Sequence, residues 1–103
     1  MSKRLLYLEK VVADGSADSF ARYALALEYK SLGRTEDALS AFGALREKDP
    51  AYVPMYLMCG TMLIDAARPD EAREWLEQGA ACAARVGDGK AASEIADALS
   101  RLA

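Results

Sequence analysis

Shifting the sequence against itself by 34 residues lays Ala26 on Gly60, Tyr29 on Leu63, Ala38 on Ala72 and Phe42 on Leu76. Small residues fall on small ones and large on large. A fixed period of this size constrains a chain strongly: it marks a helical hairpin that cannot bury its apolar face alone and must stack on a copy of itself. Composition agrees with helices. Of 103 residues, 52% are hydrophobic and 28% charged, and 21 are alanine, while Val, Ile and Thr are few. Alanine is the best helix former, and a chain poor in β-branched residues has little to build a sheet from. At this length the chain makes one domain, burying roughly two-thirds of the surface its unfolded form exposes.

Local signals divide the repeat into helices. Ala26, Gly60, Ala38 and Ala72 are small where the two helices of a hairpin cross closely, and Leu25, Tyr29, Phe42, Leu63 and Leu76 fill the space beside them. Gly33 suits a helix C-terminus that needs a left-handed residue. Thr35, Glu36 and Asp37 then read as the capped, acidic start of the next helix, which Asp49-Pro50 stops. In the second copy Pro69 opens a helix, followed by Asp70 and Glu71. Before the first copy, Leu5, Leu8 and Val12 recur at helical spacing. After the second, VGDGK is a turn and Ile95, Leu99 and Leu102 form one apolar stripe. Ile95, Ala96 and Leu99 there repeat the spacing of Cys59, Gly60 and Leu63. These signals predict helices near 3–13, 18–32, 35–48, 52–66, 69–85 and 89–102.

With these residues in place, the chain resembles the tetratricopeptide repeat family. That signature is a large residue, two spacers, Leu-Gly, two spacers, Tyr, then Ala, three spacers, Phe, and a closing Pro. The first copy matches with Arg22, Leu25, Ala26, Tyr29, Ala38, Phe42 and Pro50. The second matches with Tyr56, Cys59, Gly60, Leu63, Ala72 and Leu76. Arg22 departs from the usual Trp and Cys59 from Leu, and Ala84 stands where the second closing Pro would fall. The resemblance implies an all-α fold of about six helices, a right-handed superhelical stack of antiparallel helical hairpins. Within a single domain over 1–103 it implies a half-repeat helix in 1–17, repeats over 19–52 and 53–86, and a capping helix in 87–103.

Several chemistries lack their residues. The chain has no His, which removes the commonest general base and metal ligand. Cys59 and Cys82 lie among apolar residues outside any CxxC pair and read as small buried hydrophobes in a reducing compartment. Gly87-Asp88-Gly89-Lys90-Ala91-Ala92 fits the glycine-rich dinucleotide pattern only superficially, since no strand precedes it, and a helix-terminating turn is the preferred reading. Glu71 with Glu74, or Asp14 with Asp18, could pair as acid and base, but a solvated helix surface accounts for them. We therefore expect no enzyme, no cofactor and no metal. The net charge is −3 and there is no basic cluster, so nucleic acid is not an expected partner. The N-terminal apolar run is broken at Glu9 and Lys10, and no stretch approaches the roughly eighteen apolar residues of a membrane span. Cytoplasmic location without membrane insertion is expected.

What remains is recognition of another polypeptide. Met55, Met58 and Met62 form a stripe on a helix apolar nearly all round; core packing is the preferred reading, with partial exposure to a ligand the alternative. On the second helix Leu25, Tyr29 and Leu32 project to one side and Phe20, Tyr23 and Leu27 to nearly the opposite side, so two covers are needed. The resemblance implies a concave groove lined by the first helix of each hairpin, at Tyr23, Leu27, Lys30, Leu57, Thr61 and Ile64. Chaperone-binding members hold a terminal carboxylate there with Lys, Asn and Arg, and this sequence lacks that set and has no Asn. The expected activity is that of a protein-interaction adaptor or scaffold taking a peptide or helical segment in an apolar groove. The alternative is a structural subunit that forms a homodimer through the groove or the first helix, with Leu6, Tyr7 and Val11.

Overall fold

The computed structural model describes residues 2–103. It contains six helices: α1 (Lys3–Ala13), α2 (Ser19–Ser31), α3 (Thr35–Lys48), α4 (Val53–Asp65), α5 (Pro69–Val86) and α6 (Gly89–Ser100). Among the described residues there is no strand. The predicted helices are all present, and their ends differ from expectation by at most two residues, where helices fray. The chain forms two compact units, one ending at Asp49 and the other covering Pro50–Ala103.

In the first unit α2 packs against both α1 and α3. Leu5 and Leu8 of α1 meet Leu25 of α2, and Val12, Ala24, Tyr29 and Ala41 close around them. Ala26, Ala38 and Phe42 are fully buried, as the small and large positions of the repeat require. Ser2 starts α1 by accepting the Leu5 N–H at 3.1 Å, and its hydroxyl donates to Glu28 Oε2 at 3.0 Å. Asp18 caps α2 through the Ala21 N–H at 2.8 Å. Leu32, expected to share the buried side of α2, lies at its C-cap and is exposed, because the chain has left the helix there.

In the second unit α4 packs most closely against α5, while α6 lies against both. This explains why α4 is apolar nearly all round: Met55, Tyr56, Cys59, Met62 and Leu63 are buried. Gly60 allows the closest approach, since a Cβ there would sit 2.5 Å from Cγ and Cδ2 of Leu76. Ile95 and Ala98 are the buried residues of α6, with Leu99 and Leu102 half-buried. Ala96 is exposed. Its counterparts Ala26 and Gly60 are buried in helices that pair with a following helix, α3 and α5.

The turns between hairpin helices are built alike. Gly33 (φ 75°) and Ala67 (φ 59°) are left-handed, and in each turn the next residue bonds back five positions: Arg34 N–H to Tyr29 O and Arg68 N–H to Leu63 O, both 2.9 Å. This Schellman geometry satisfies carbonyls that the helix end leaves open. Thr35 does not cap α3. The N-cap is Arg34, with no side-chain cap, and its Nε instead donates to Asp37 Oδ2 at 2.8 Å. One period later Arg68 does the same toward Glu71, through Nε at 2.7 Å and Nη2 at 3.0 Å. An arginine held by a first-turn carboxylate replaces the hydroxyl cap in both hairpins.

Candidate functional site

The residues expected to line the groove fall on corresponding faces of α2 and α4. Tyr23, Leu27 and Lys30 of α2 are each half-buried, as are Leu57, Thr61 and Ile64 of α4, 34 residues on. Within each helix the three positions span roughly a 60° arc, since each residue advances the helix by ~100°. The Tyr23 ring packs against that of Phe42, with centroids 6.4 Å apart and planes tilted by 58°.

In the second unit Leu57 and Thr61 line a cleft of about 340 Å³ between α4 and α6. Met58 completes the α4 wall. The methionine stripe is thus divided: Met55 and Met62 are buried in the core, while Met58 is half-buried at the cleft. Thr61 Oγ1 donates to the Met58 carbonyl at 3.2 Å, which leaves the hydroxyl oxygen free to accept. Ile64 continues the same face of α4 beyond the cleft lining.

The facing wall comes from α6, through Glu94, Asp97, Ala98 and Arg101. At 3.6 residues per turn these positions share one side of the helix. The sequence spacing places Glu94, Asp97 and Arg101 off the apolar stripe of Ile95, Leu99 and Leu102. It could not tell a charged stripe facing open solvent from one facing Leu57, because both have the same spacing. No ion pair among the described residues engages these three side chains.

One member of each carboxylate pair considered as acid and base has a local structural role. Asp18 caps α2. Glu71 is held by Arg68, whose hydrogen bonds keep its carboxyl below the usual range. Gly87, at φ 75°, closes α5, and Asp88 starts α6 by accepting the Ala91 N–H at 3.0 Å, so the glycine-rich stretch is a helix-to-helix turn. Both cysteines are buried, and neither is in a disulfide. Among the described residues no group of three His, Cys, Asp or Glu is placed to hold a metal ion. Among the described residues no helix is long and apolar enough to cross a membrane.

The repeated hairpins, their shared turn geometry and the first-helix faces define an α-helical repeat protein. The tetratricopeptide repeat family profile matches residues 30–102, and the chain belongs to that family. A tetratricopeptide repeat domain protein from Salinibacter ruber, known as a crystal structure, is 36% identical with a TM-score of 0.76, over 84% of this chain and 96% of that one. The solution structure of a Bordetella parapertussis protein is 27% identical with a TM-score of 0.83, over 99% of this chain and 89% of that one. Among curated proteins none matches the sequence. Members of the family generally mediate protein–protein interaction and act as scaffolds rather than enzymes.

Proposed function

We propose that this chain is a protein-interaction adaptor that holds a peptide or helical segment of another protein on the first helices of its hairpins, at Tyr23, Leu27, Lys30, Leu57, Thr61 and Ile64. The cleft at Leu57 and Thr61 carries this reading: it offers half-buried apolar side chains and an acceptor hydroxyl in a concave surface, the kind of place where polypeptides anchor side chains. Two buried cysteines outside any disulfide agree with a reducing compartment, and we place the protein in the cytoplasm. The test is affinity capture from the native cell with the wild-type chain and with Tyr23→Ser and Leu57→Ser, each checked for an unchanged helical spectrum. Loss of the same captured protein in both variants is expected. Retention of that protein by both, at wild-type yield, overturns the reading.

A second reading rests on α1, where Leu6 and Tyr7 are 50% and 68% exposed. Two adjacent large apolar side chains in water favour a covered surface, here in a homodimer through α1. Sedimentation equilibrium over a wide concentration range tests it. A monomer throughout rules the homodimer out, whereas a dimer dissociated by Leu6→Ser with Tyr7→Ser supports it.

A further inference from the structure

We infer that α6 is the selective wall of the cleft, and that Glu94 and Asp97 give it a preference for a polypeptide segment presenting a lysine or arginine beside an aliphatic side chain. This rests on the reading that the cleft holds a polypeptide and adds which kind.

The charged residues of the cleft differ from the other close charge pairs of the chain. Arg34 with Asp37 and Arg68 with Glu71 are paired within their own helix starts. Glu94, Asp97 and Arg101 have no ion pair among the described residues. Arg101, at the C-cap of α6, has a local reason for its place, because the negative end of the helix dipole favours a cation. Asp97 has none. It lies in the last turn of a helix ending at Ser100, where that dipole disfavours a carboxylate, and it stands three residues from another acid on the same face. Asp97 is thus placed against the helix dipole, and both carboxylates line the cleft.

The α4 wall supplies the complementary half. Leu57 and Met58 are apolar and half-buried, and Met adapts its shape to what lies against it. A basic side chain has this same division, an aliphatic stem and a charged head. Its stem lies on Leu57 and Met58 while its head reaches Glu94 and Asp97. The neighbouring aliphatic side chain of the segment takes the remaining apolar surface at Leu57 and Ala98. A cleft of about 340 Å³ lies at the small end of ligand pockets, room for one or two anchoring side chains. An acidic segment would face two carboxylates with only Arg101 in its favour.

The probes are short acetylated and amidated alanine-glutamine peptides carrying one leucine and, one helical turn on, lysine, glutamine or glutamate, titrated into the ¹⁵N-labelled chain. The lysine peptide should shift the amides of Leu57, Thr61 and Ala98 and bind about three- to fivefold more tightly than the glutamine peptide at low salt, the size expected for partly exposed ion pairs. Glutamate should bind weakest. Glu94→Gln with Asp97→Asn should erase the preference for lysine while leaving the helical spectrum unchanged, and Arg101→Gln should leave the preference in place. If the peptides bind at these amides with equal affinity, or glutamate binds best, the inference is overturned and the cleft remains a polypeptide site. If none of them shifts these amides, both the inference and the cleft reading fail.

Discussion

Ala67 occupies the left-handed conformation that Gly33 occupies one repeat earlier, with φ of 59° against 75° and the same five-residue return bond behind it. Only glycine enters this region without steric cost; an L side chain there costs ~1–2 kcal/mol, partly offset by the larger chain entropy that glycine loses on folding. Ala67→Gly should therefore raise stability by about 0.5–1 kcal/mol and Gly33→Ala should lower it by a similar amount. Urea midpoints of the two variants test the pair, and a less stable Ala67→Gly protein would contradict the account.

Gly79 lies where α5 meets both α4 and α6: a Cβ there would be 2.5 Å from the Cβ of Tyr56 and 3.1 Å from Cδ1 of Ile95. The Tyr56 Cβ is fixed to its backbone, so relief requires the helices to separate. Gly79→Ala should cost about 1–3 kcal/mol, the range for overpacking a tight core. Gly43, inside α3, has nothing within 4 Å of its added Cβ, so Gly43→Ala should instead gain up to about 1 kcal/mol of helix propensity. Opposite shifts of the thermal midpoint check this, and equal shifts would argue against close packing at Gly79.

These two glycines show how far the sequence could be read. The 34-residue period exposed the hairpins because small residues at crossings and large ones beside them are spaced by the helix itself. The same shift lays Ala67 under Gly33, so the strained turn was available to the alignment but not to residue preference, since Ala gives no sign of positive φ. Gly79 has Leu45 as its counterpart one period earlier and so carried no repeat signal; its smallness answers to Tyr56 and Ile95, contacts between helices that differ in the two repeats. Thr35 reads as a cap because the hydroxyl preference is strong, while an arginine salt-bridged into the first turn has no such signature. The α4 wall of the cleft was legible only through the family resemblance, which marks Leu57 and Thr61. The α6 wall was not, because the turn before α6 breaks the register and a charged stripe reads alike over water and over a cleft.

Tyr29 ties α2 to α1, its hydroxyl donating to Glu9 Oε2 at 2.5 Å, while Arg34 lies 4.8 Å from its ring centroid. The bond to Glu9, then burial, raise the Tyr29 pKa from 10.0 to about 12, against a smaller opposing pull from Arg34. A group whose folded pKa is raised contributes stability present below its unfolded pKa and lost as pH climbs through the folded value. The window is thus pH 10 to about 12. Absorbance titration should show a tyrosinate step near the top of that window that Tyr29→Phe removes, and the variant should lose less stability across it. A wild-type titration without that late step would remove the Glu9 contact from the account.

Cys59 and Cys82 are buried thiols outside any disulfide, and the Cys82 Sγ lies 3.5 Å from the Pro50 carbonyl oxygen. A disulfide-forming chromogenic thiol reagent should label neither in the native protein within the time that labels both in denaturant, without added reductant. Fast labelling of the native chain would mean that the second unit opens locally far more often than its burial suggests.

The last helix is held by little sequence but by a fully enclosed side chain. Ile95 is 0% exposed and Ala98 3%, and the Arg73 Nη2 donates to the Leu102 carbonyl at 3.2 Å beyond the helix end. A repeat buries its face only against a neighbour, so α6 should act as the cover of the α4–α5 hairpin, and Ile95 should carry most of that role. Ile95→Ala should destabilise by about 2–5 kcal/mol, within the range for a large buried aliphatic cut to a methyl. Val86→Ala, at a side chain 51% exposed, should change little. Ending the chain after Val86 should uncover Tyr56, Gly79 and the apolar side of α4, and the shortened protein should melt earlier or associate. A truncated chain that stays monomeric with an unchanged midpoint would show that α6 does not cover the hairpin, and the cleft between α4 and α6 would lose one of its walls.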